Sequence, residues 1–159
     1  MKINIHIPTQ TLTVLDNAGC VLRRYAVSTA ANGVGEENGS FCTPRGQHII
    51  RAKIGMGQPV NSVFVQRRPT GEIYTSVLGT QYPGRDWMLT RLLWLSGCEV
   101  GYNRLGSCDT MRRYIYIHGT PDTTVLGQPG SKGCVRMHNA DLLALFDLVP
   151  AGIRVHIDS

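Results

Sequence analysis

The chain is short of aromatic side chains, of clustered charge and of long apolar runs, and each shortage removes a class of function. Aromatics make up 7% of the 159 residues, and the arginines behind the formal charge of +5 lie in scattered doublets, Arg23-Arg24, Arg67-Arg68 and Arg112-Arg113. A nucleic-acid-binding face needs a basic stripe interleaved with stacking rings, so no nucleic-acid partner is expected. No stretch approaches the roughly 20 apolar residues of a membrane-spanning helix, so no membrane partner is expected either. The opening Met-Lys-Ile-Asn-Ile-His-Ile-Pro alternates like a strand and has no apolar core of the kind a secretory signal carries. Taken with Met1 as the native start, this predicts a cytoplasmic protein, the alternative being a periplasmic one whose leader has been removed.

Cysteines are few and unpatterned. Cys20, Cys42, Cys98, Cys108 and Cys134 form an odd set with no Cys-x-x-Cys spacing, which argues against a disulfide framework and suits a reducing compartment. His118, Cys134 and His138 lack a further ligand at metal-type spacing, so neither a metal nor another cofactor is expected. Cys42, Cys98 and Cys108 sit beside turns with no base nearby and are expected to be packing residues.

Turn formers are abundant. Eighteen glycines and eight prolines, spread along the chain, punctuate short alternating apolar segments. The fold class that follows is mainly β, a single domain over residues 1–159. Alternation predicts strands around Ile3, Ile5 and Ile7, around Leu12 and Val14, over 21–28, 47–51, 62–66 and 72–78, and at Ile153, Val155 and Ile157. Residues 86–95 fit a buried strand or a helical face, and the flanking Gly84 and Gly97 favour the strand. Leu142, Leu145, Phe146 and Val149 give the i, i+3, i+4, i+7 stripe of one short helix, with Asn139 as N-cap and Pro150-Ala151-Gly152 as its stop.

One stretch stands out against this background: Gly130 to Asn139, Gly-Ser-Lys-Gly-Cys-Val-Arg-Met-His-Asn. A free thiol of pKa near 8.5 is only about 3% ionised at pH 7, so a nucleophilic cysteine needs a base or cations beside it. His118 emerges at the end of an alternating run, 113–118, with Tyr114 and Tyr116 on its own face, which is a rigid mount for a base. Lys132 and Arg136 add positive potential around Cys134, and the N–H groups of Gly133 and Cys134 are candidates for an oxyanion hole. Arg45, in the turn Thr43-Pro44-Arg45-Gly46, is a candidate ligand for a substrate carboxylate. Residues 29–40 and 80–86 are candidate specificity loops.

His118-Gly119-Thr120, followed by Ser131-Lys132-Gly133-Cys134-Val135-Arg136-Met137 and Asn139-Ala140-Asp141, resembles the signature of the YkuD-type L,D-transpeptidases. The resemblance extends to Val27-Ser28-Thr29, to Thr43-Pro44-Arg45-Gly46, to the run Arg113-Tyr114-Ile115-Tyr116-Ile117 and to the closing 152–157, nearly the whole chain. It departs from the family at Lys132, where many members carry histidine. The resemblance implies a β-sandwich-like domain of mixed sheets in which Cys134 is the nucleophile, His118 the base and the Gly119 carbonyl the group that orients the imidazole. It also implies that Arg136 helps to hold charged substrate, with Ser131, Tyr116 and Asn139 in the surrounding pocket. The implied substrates are peptidoglycan stem peptides, and carbapenems are implied as covalent inhibitors. Given the cytoplasmic expectation, the activity that follows is an L,D-carboxypeptidase releasing terminal D-alanine from diaminopimelate-containing tetrapeptides in murein recycling. The alternatives are a periplasmic L,D-transpeptidase that forms cross-links and a non-catalytic muropeptide-binding module.

Overall fold

Alternation decides the first strands. In β1 (Lys2–His6) and β2 (Thr11–Leu15), Ile3, Ile5, Leu12 and Val14 point to one side and are buried, while their neighbours stay in contact with solvent. In the computed structural model, which describes all 159 residues, these strands begin one curled mixed sheet. The others are β3 (Val21–Ala26), β4 (Gly46–Ile54), β5 (Ser62–Val65), β6 (Arg68–Ile73), β7 (Met88–Gly97), β8 (Tyr116–Gly119), β9 (Val135–Met137) and β10 (Arg154–Asp158). Neighbours run β3-β2-β1-β10-β4-β7-β5-β6, and β8 joins β7 to β9. Only β1–β10 and β8–β9 are parallel. The mainly β expectation holds, with the layers made by one sheet curling on itself.

Residues 86–95 are indeed strand. β7 pairs with β4, β5 and β8, so the sheet forks along it. Its register with β8 shifts between Leu89 and Leu92, where Thr90 takes a left-handed φ of 76°. Bulges of this kind re-aim side chains beside sites. The helix after the cysteine loop is also present, α2 (Asn139–Leu148), burying Leu142, Leu145 and Phe146 in the main core with Ile117, Val135 and Met137. Its N-cap is His138 instead of Asn139, and no side chain caps it. Asn139 lies one residue inside the helix because its amide is drawn into the contacts described below.

Two other expectations are corrected. The 72–78 run is not one strand: β6 ends at Ile73, and a short helix α1 (Ser76–Gln81) follows, with the Thr75 hydroxyl accepting from the Leu78 N–H at 3.1 Å. A hydroxyl cap there competes with continued extension, and no strand lies alongside to favour the ladder. Cys98, expected to pack, is exposed, whereas Cys108 is buried.

β4 carries a histidine that the site does not use. His48 is 0% exposed, donates from Nδ1 to the Gly46 carbonyl at 3.0 Å and accepts at Nε2 from the Thr110 hydroxyl at 2.9 Å. Burial pushes its pKa down to about 4. The unfolded chain, with a histidine near 6.5, binds a proton that the folded chain refuses, so stability is intact above pH ~6.5 and is lost as pH falls towards 4. The linkage is worth about 3 kcal/mol at ~1.36 kcal/mol per unit. We expect the urea midpoint to drop between pH 7 and pH 4.5, and His48→Gln to flatten that drop. Equal acid sensitivity in both proteins would remove His48 as its source.

Candidate active site

The loop and the histidine meet through β8 and β9. Ile117 pairs with Val135 and His118 with Arg136 in parallel register. Side chains alternate across paired strands, so Ile117, Val135 and Met137 share the face that enters the main core. Tyr116, His118, Cys134 and Arg136 share the other. There Tyr116 and Cys134 form a second apolar cluster with Phe64 and Leu92. Cys134 precedes Val135, which pairs with Ile117, so its side chain falls on the same face as that of His118 on the neighbouring strand.

Cys134 is more deeply set than its polar loop suggests. It is 8% exposed; its Sγ accepts from the Tyr116 N–H at 3.3 Å and donates to the Tyr114 carbonyl at 3.4 Å. Burial pushes the thiol up to about 12; the Tyr116 N–H pulls it down, the Asp86 carboxylate pushes it up, and Arg136 and Arg113 pull it down. The expectation of a cation-stabilised thiolate is therefore corrected. Lys132 is exposed, and the Arg136 charge is offset because its Nη2 sits 3.1 Å from Asp86. His118 is 1% exposed, and burial lowers its pKa. Its Nδ1 lies 2.7 Å from the Gly119 carbonyl, which can only accept, so Nδ1 carries the proton and Nε2 the lone pair. Nε2 has no hydrogen-bond partner within the chain. Burial thus favours the neutral form of both the thiol and the imidazole.

The family described as the YkuD L,D-transpeptidase catalytic domain matches residues 1–157. The chain belongs to this family. It is 45% identical to YkuD of Bacillus subtilis strain 168 over 95 residues, 60% of this chain and 48% of that protein. The fold is that of L,D-transpeptidase 3 from Mycobacterium tuberculosis, solved in complex with a faropenem-derived adduct, at TM-score 0.58 and 15% identity over 99% of this chain and 59% of that one. L,D-transpeptidase LdtMt1 in complex with imipenem is similar at TM-score 0.56 and 19% identity, over 98% of this chain and 57% of that one. The chain thus spans about half the length of YkuD and under two thirds of these solved chains.

Two glycines of this YkuD domain are there for space. A Cβ on Gly119 would stand 2.2 Å from Asn139 Oδ1 and 2.5 Å from the Leu89 carbonyl oxygen. Gly133, at φ 131°, would bring a Cβ to 3.1 Å from Ile115 Cδ1 and 3.2 Å from the Cys42 carbonyl. Ser131 Oγ donates to the Cys134 carbonyl at 2.5 Å and accepts from the Gly133 N–H at 3.1 Å. That N–H is therefore engaged within the loop and is not the free oxyanion donor expected from sequence. Ser131 acts on the loop's shape.

The remaining candidates separate. Tyr116 is in the site through its backbone contact with Cys134. Asn139 is a brace: it accepts from Thr90 Oγ1 at 2.6 Å and donates to Asn61 Oδ1 at 3.0 Å and the Thr120 carbonyl at 3.1 Å. Arg45 directs its guanidinium at Glu36, 3.0 Å away. Arg136 is in the site but is held by Asp86 and by the Gly130 carbonyl at 3.0 Å. No three His, Cys, Asp or Glu side chains gather as a metal site.

Sequence reasoning missed three groups. Thr43 Oγ1 donates to the Gly133 carbonyl at 2.9 Å, fastening the loop from the Thr-Pro-Arg-Gly turn. Arg113 donates to the Gly35 carbonyl at 3.1 Å and the Cys42 carbonyl at 2.6 Å, binding the 35–42 segment to the site. Asp86 falls at the end of the 80–86 loop, and only its distance in sequence from Arg136 hid the pairing.

Proposed function

We propose that this domain is a cysteine acyl-transfer enzyme acting on peptidoglycan stem peptides, with Cys134 as nucleophile and His118 as base. The observation that carries this is the same-face placement of His118 and Cys134, with the imidazole fixed on the Gly119 carbonyl so that its basic nitrogen is left for the thiol. As sulfur attacks the scissile carbonyl, Nε2 takes the thiol proton, so charge appears only with bond formation. The resulting imidazolium returns that proton to the departing amine of the D-residue, and a thioester remains on Cys134. Water then attacks the thioester carbonyl as the neutral imidazole accepts its proton; the C–S bond breaks, the trimmed peptide leaves with a new carboxylate, and the imidazolium returns the proton to the Cys134 sulfur.

Our preferred acceptor is water, which makes the enzyme an L,D-carboxypeptidase that trims D-alanine from diaminopimelate-containing tetrapeptides, a murein-recycling role in the cytoplasm. Five unpaired cysteines, with Cys20 and Cys98 exposed, support a reducing compartment. A second reading, cross-linking in the periplasm, is favoured by one feature. A groove lined by Ala31, Asn32, Phe41, Gly130, Ser131 and Lys132 borders the cysteine loop and has room for an amine acceptor.

Incubation with a tetrapeptide stem, alone and with paired muropeptides, separates these by mass. We expect tripeptide and free D-alanine to form faster than any dimer. Dimers forming faster would overturn the hydrolytic reading. Binding without turnover would leave a muropeptide-binding module instead of an enzyme.

A further inference from the structure

Three arginines around the site are paired with carboxylates: Arg136 with Asp86, Arg85 with Glu72 and Arg45 with Glu36. Arg113 has no carboxylate partner but spends its guanidinium on the Gly35 and Cys42 carbonyls and the Ser40 hydroxyl, Lys132 is exposed on the cysteine loop, and Arg67 keeps most of its N–H groups free. Arg67 forms no ion pair, and its guanidinium lies over two rings, 5.0 Å from the Trp94 centroid and 4.7 Å from that of Tyr114. One nitrogen, Nη1, donates to the Tyr116 hydroxyl at 3.2 Å, and no other protein group takes a hydrogen bond from the fork. A guanidinium held between aromatic rings with free N–H groups is preorganised for a planar anion.

What it faces is next to the thiol. Gln66, Arg67, Met88, Tyr114 and Tyr116 line a groove of about 450 Å³. Tyr114 and Tyr116 are also the residues whose backbone carbonyl and N–H contact Cys134 Sγ. Three of the five lining residues hold left-handed backbone that glycine would adopt more easily: Gln66 at φ 50°, Arg67 at 65° and Tyr114 at 57°. Gln66 and Arg67 form the two-residue turn between β5 and β6, whose ends pair Val65 with Arg68. Such turns favour Asn-Gly; here the strain is retained and places a long cation over the groove.

We infer that Arg67 binds the free α-carboxylate of the substrate's terminal D-residue and so selects peptides that end just beyond the scissile bond. This rests on the stem-peptide reading. With the scissile carbonyl at Cys134 Sγ, that carboxylate belongs to the very next residue, so it must lie in a groove adjoining the thiol. The other carboxylates of a stem peptide lie more bonds away from the scissile carbonyl.

The test compares a synthetic stem tetrapeptide with its C-terminal carboxamide. For the wild-type protein we expect kcat/KM to favour the carboxylate by about tenfold to a hundredfold, the range of one charge-assisted hydrogen-bonded contact. Arg67→Gln should bring that ratio close to one, Arg67→Lys should restore part of it, and Arg68→Gln, on the same hairpin, should leave it at the wild-type value. A ratio unchanged in Arg67→Gln, or a wild-type ratio near one, would overturn the assignment. Calorimetric binding of both peptides to the Cys134→Ala protein keeps this separate from the activity. Carboxylate preference that depends on Arg67 without turnover in the wild type would sustain the subsite and sink the enzyme reading. Turnover without the preference would do the reverse, and neither binding nor turnover would sink both.

Discussion

Cys134→Ala should lower release of the terminal D-residue from a stem tetrapeptide by at least about a thousandfold, the scale on which removal of a covalent nucleophile acts. The same variant should give no mass adduct with a carbapenem, while the wild-type protein gains one. Its fold should persist, because the sulfur's only contacts are two long hydrogen bonds to backbone and one small apolar cluster. The pH profile of the wild type tests the neutral pair. His118 is held below its ordinary range, so the acid limb of kcat/KM should fall below pH ~6.5, where protonation of Nε2 removes the base. The thiol is pushed up to about 12, so no limb should appear at the ordinary thiol value. Turnover retained in Cys134→Ala would exclude this sulfur as nucleophile. An alkaline limb near 8.5 would show that the thiol ionises on its own.

Gly119→Ala should be nearly as damaging by a different route. The added carbon would stand 2.5 Å from the Leu89 carbonyl, which is backbone of β7, and 2.2 Å from the amide oxygen of Asn139, which already braces Thr90, Asn61 and Thr120. Neither neighbour is the loose end of a flexible side chain, so β8 must move away from β7. We expect a loss of about 2–4 kcal/mol, seen as a melting temperature lower by about 5 °C or more. Activity should fall at least about a hundredfold, because the Gly119 carbonyl that aims the imidazole moves with it. Gly152→Ala is the comparison: at φ 88° with open space around it, it carries only the backbone penalty. Full activity in Gly119→Ala would show that the histidine is positioned by other contacts.

How far the sequence reached follows from the range of the interactions involved. Alternation in β1 and β2, the apolar stripe of α2 and the shared face of Tyr116 and His118 are local patterns, and each is legible in a window of a few residues. The mainly β class follows from them, and so does the candidate pair, since a histidine ending one strand and a cysteine opening the next need only parallel register to meet. What was hidden depends on partners far along the chain. Asp86 neutralises Arg136 across 50 positions, and Thr43 fastens Gly133 across 90. The burial that raises the Cys134 thiol comes partly from Phe64 and Leu92, on strands that no local pattern ties to the loop. His138 displaces Asn139 as cap for the same reason, because the Asn139 amide is claimed by Thr90, Asn61 and Thr120. α1 was missed because Thr75 offers a cap within a run whose composition reads as extended.

The place of β10 in the sheet has a bearing on synthesis. β1 and β4 are not neighbours; β10 lies between them, parallel to β1 and antiparallel to β4. As the chain leaves the ribosome, the β1–β2–β3 meander must wait with one edge unpaired until residues 154–158 emerge. Closure of the sheet is thus a late folding event of high contact order. Chains that stop before that point keep the β1 and β4 edges open, a template for pairing with another chain.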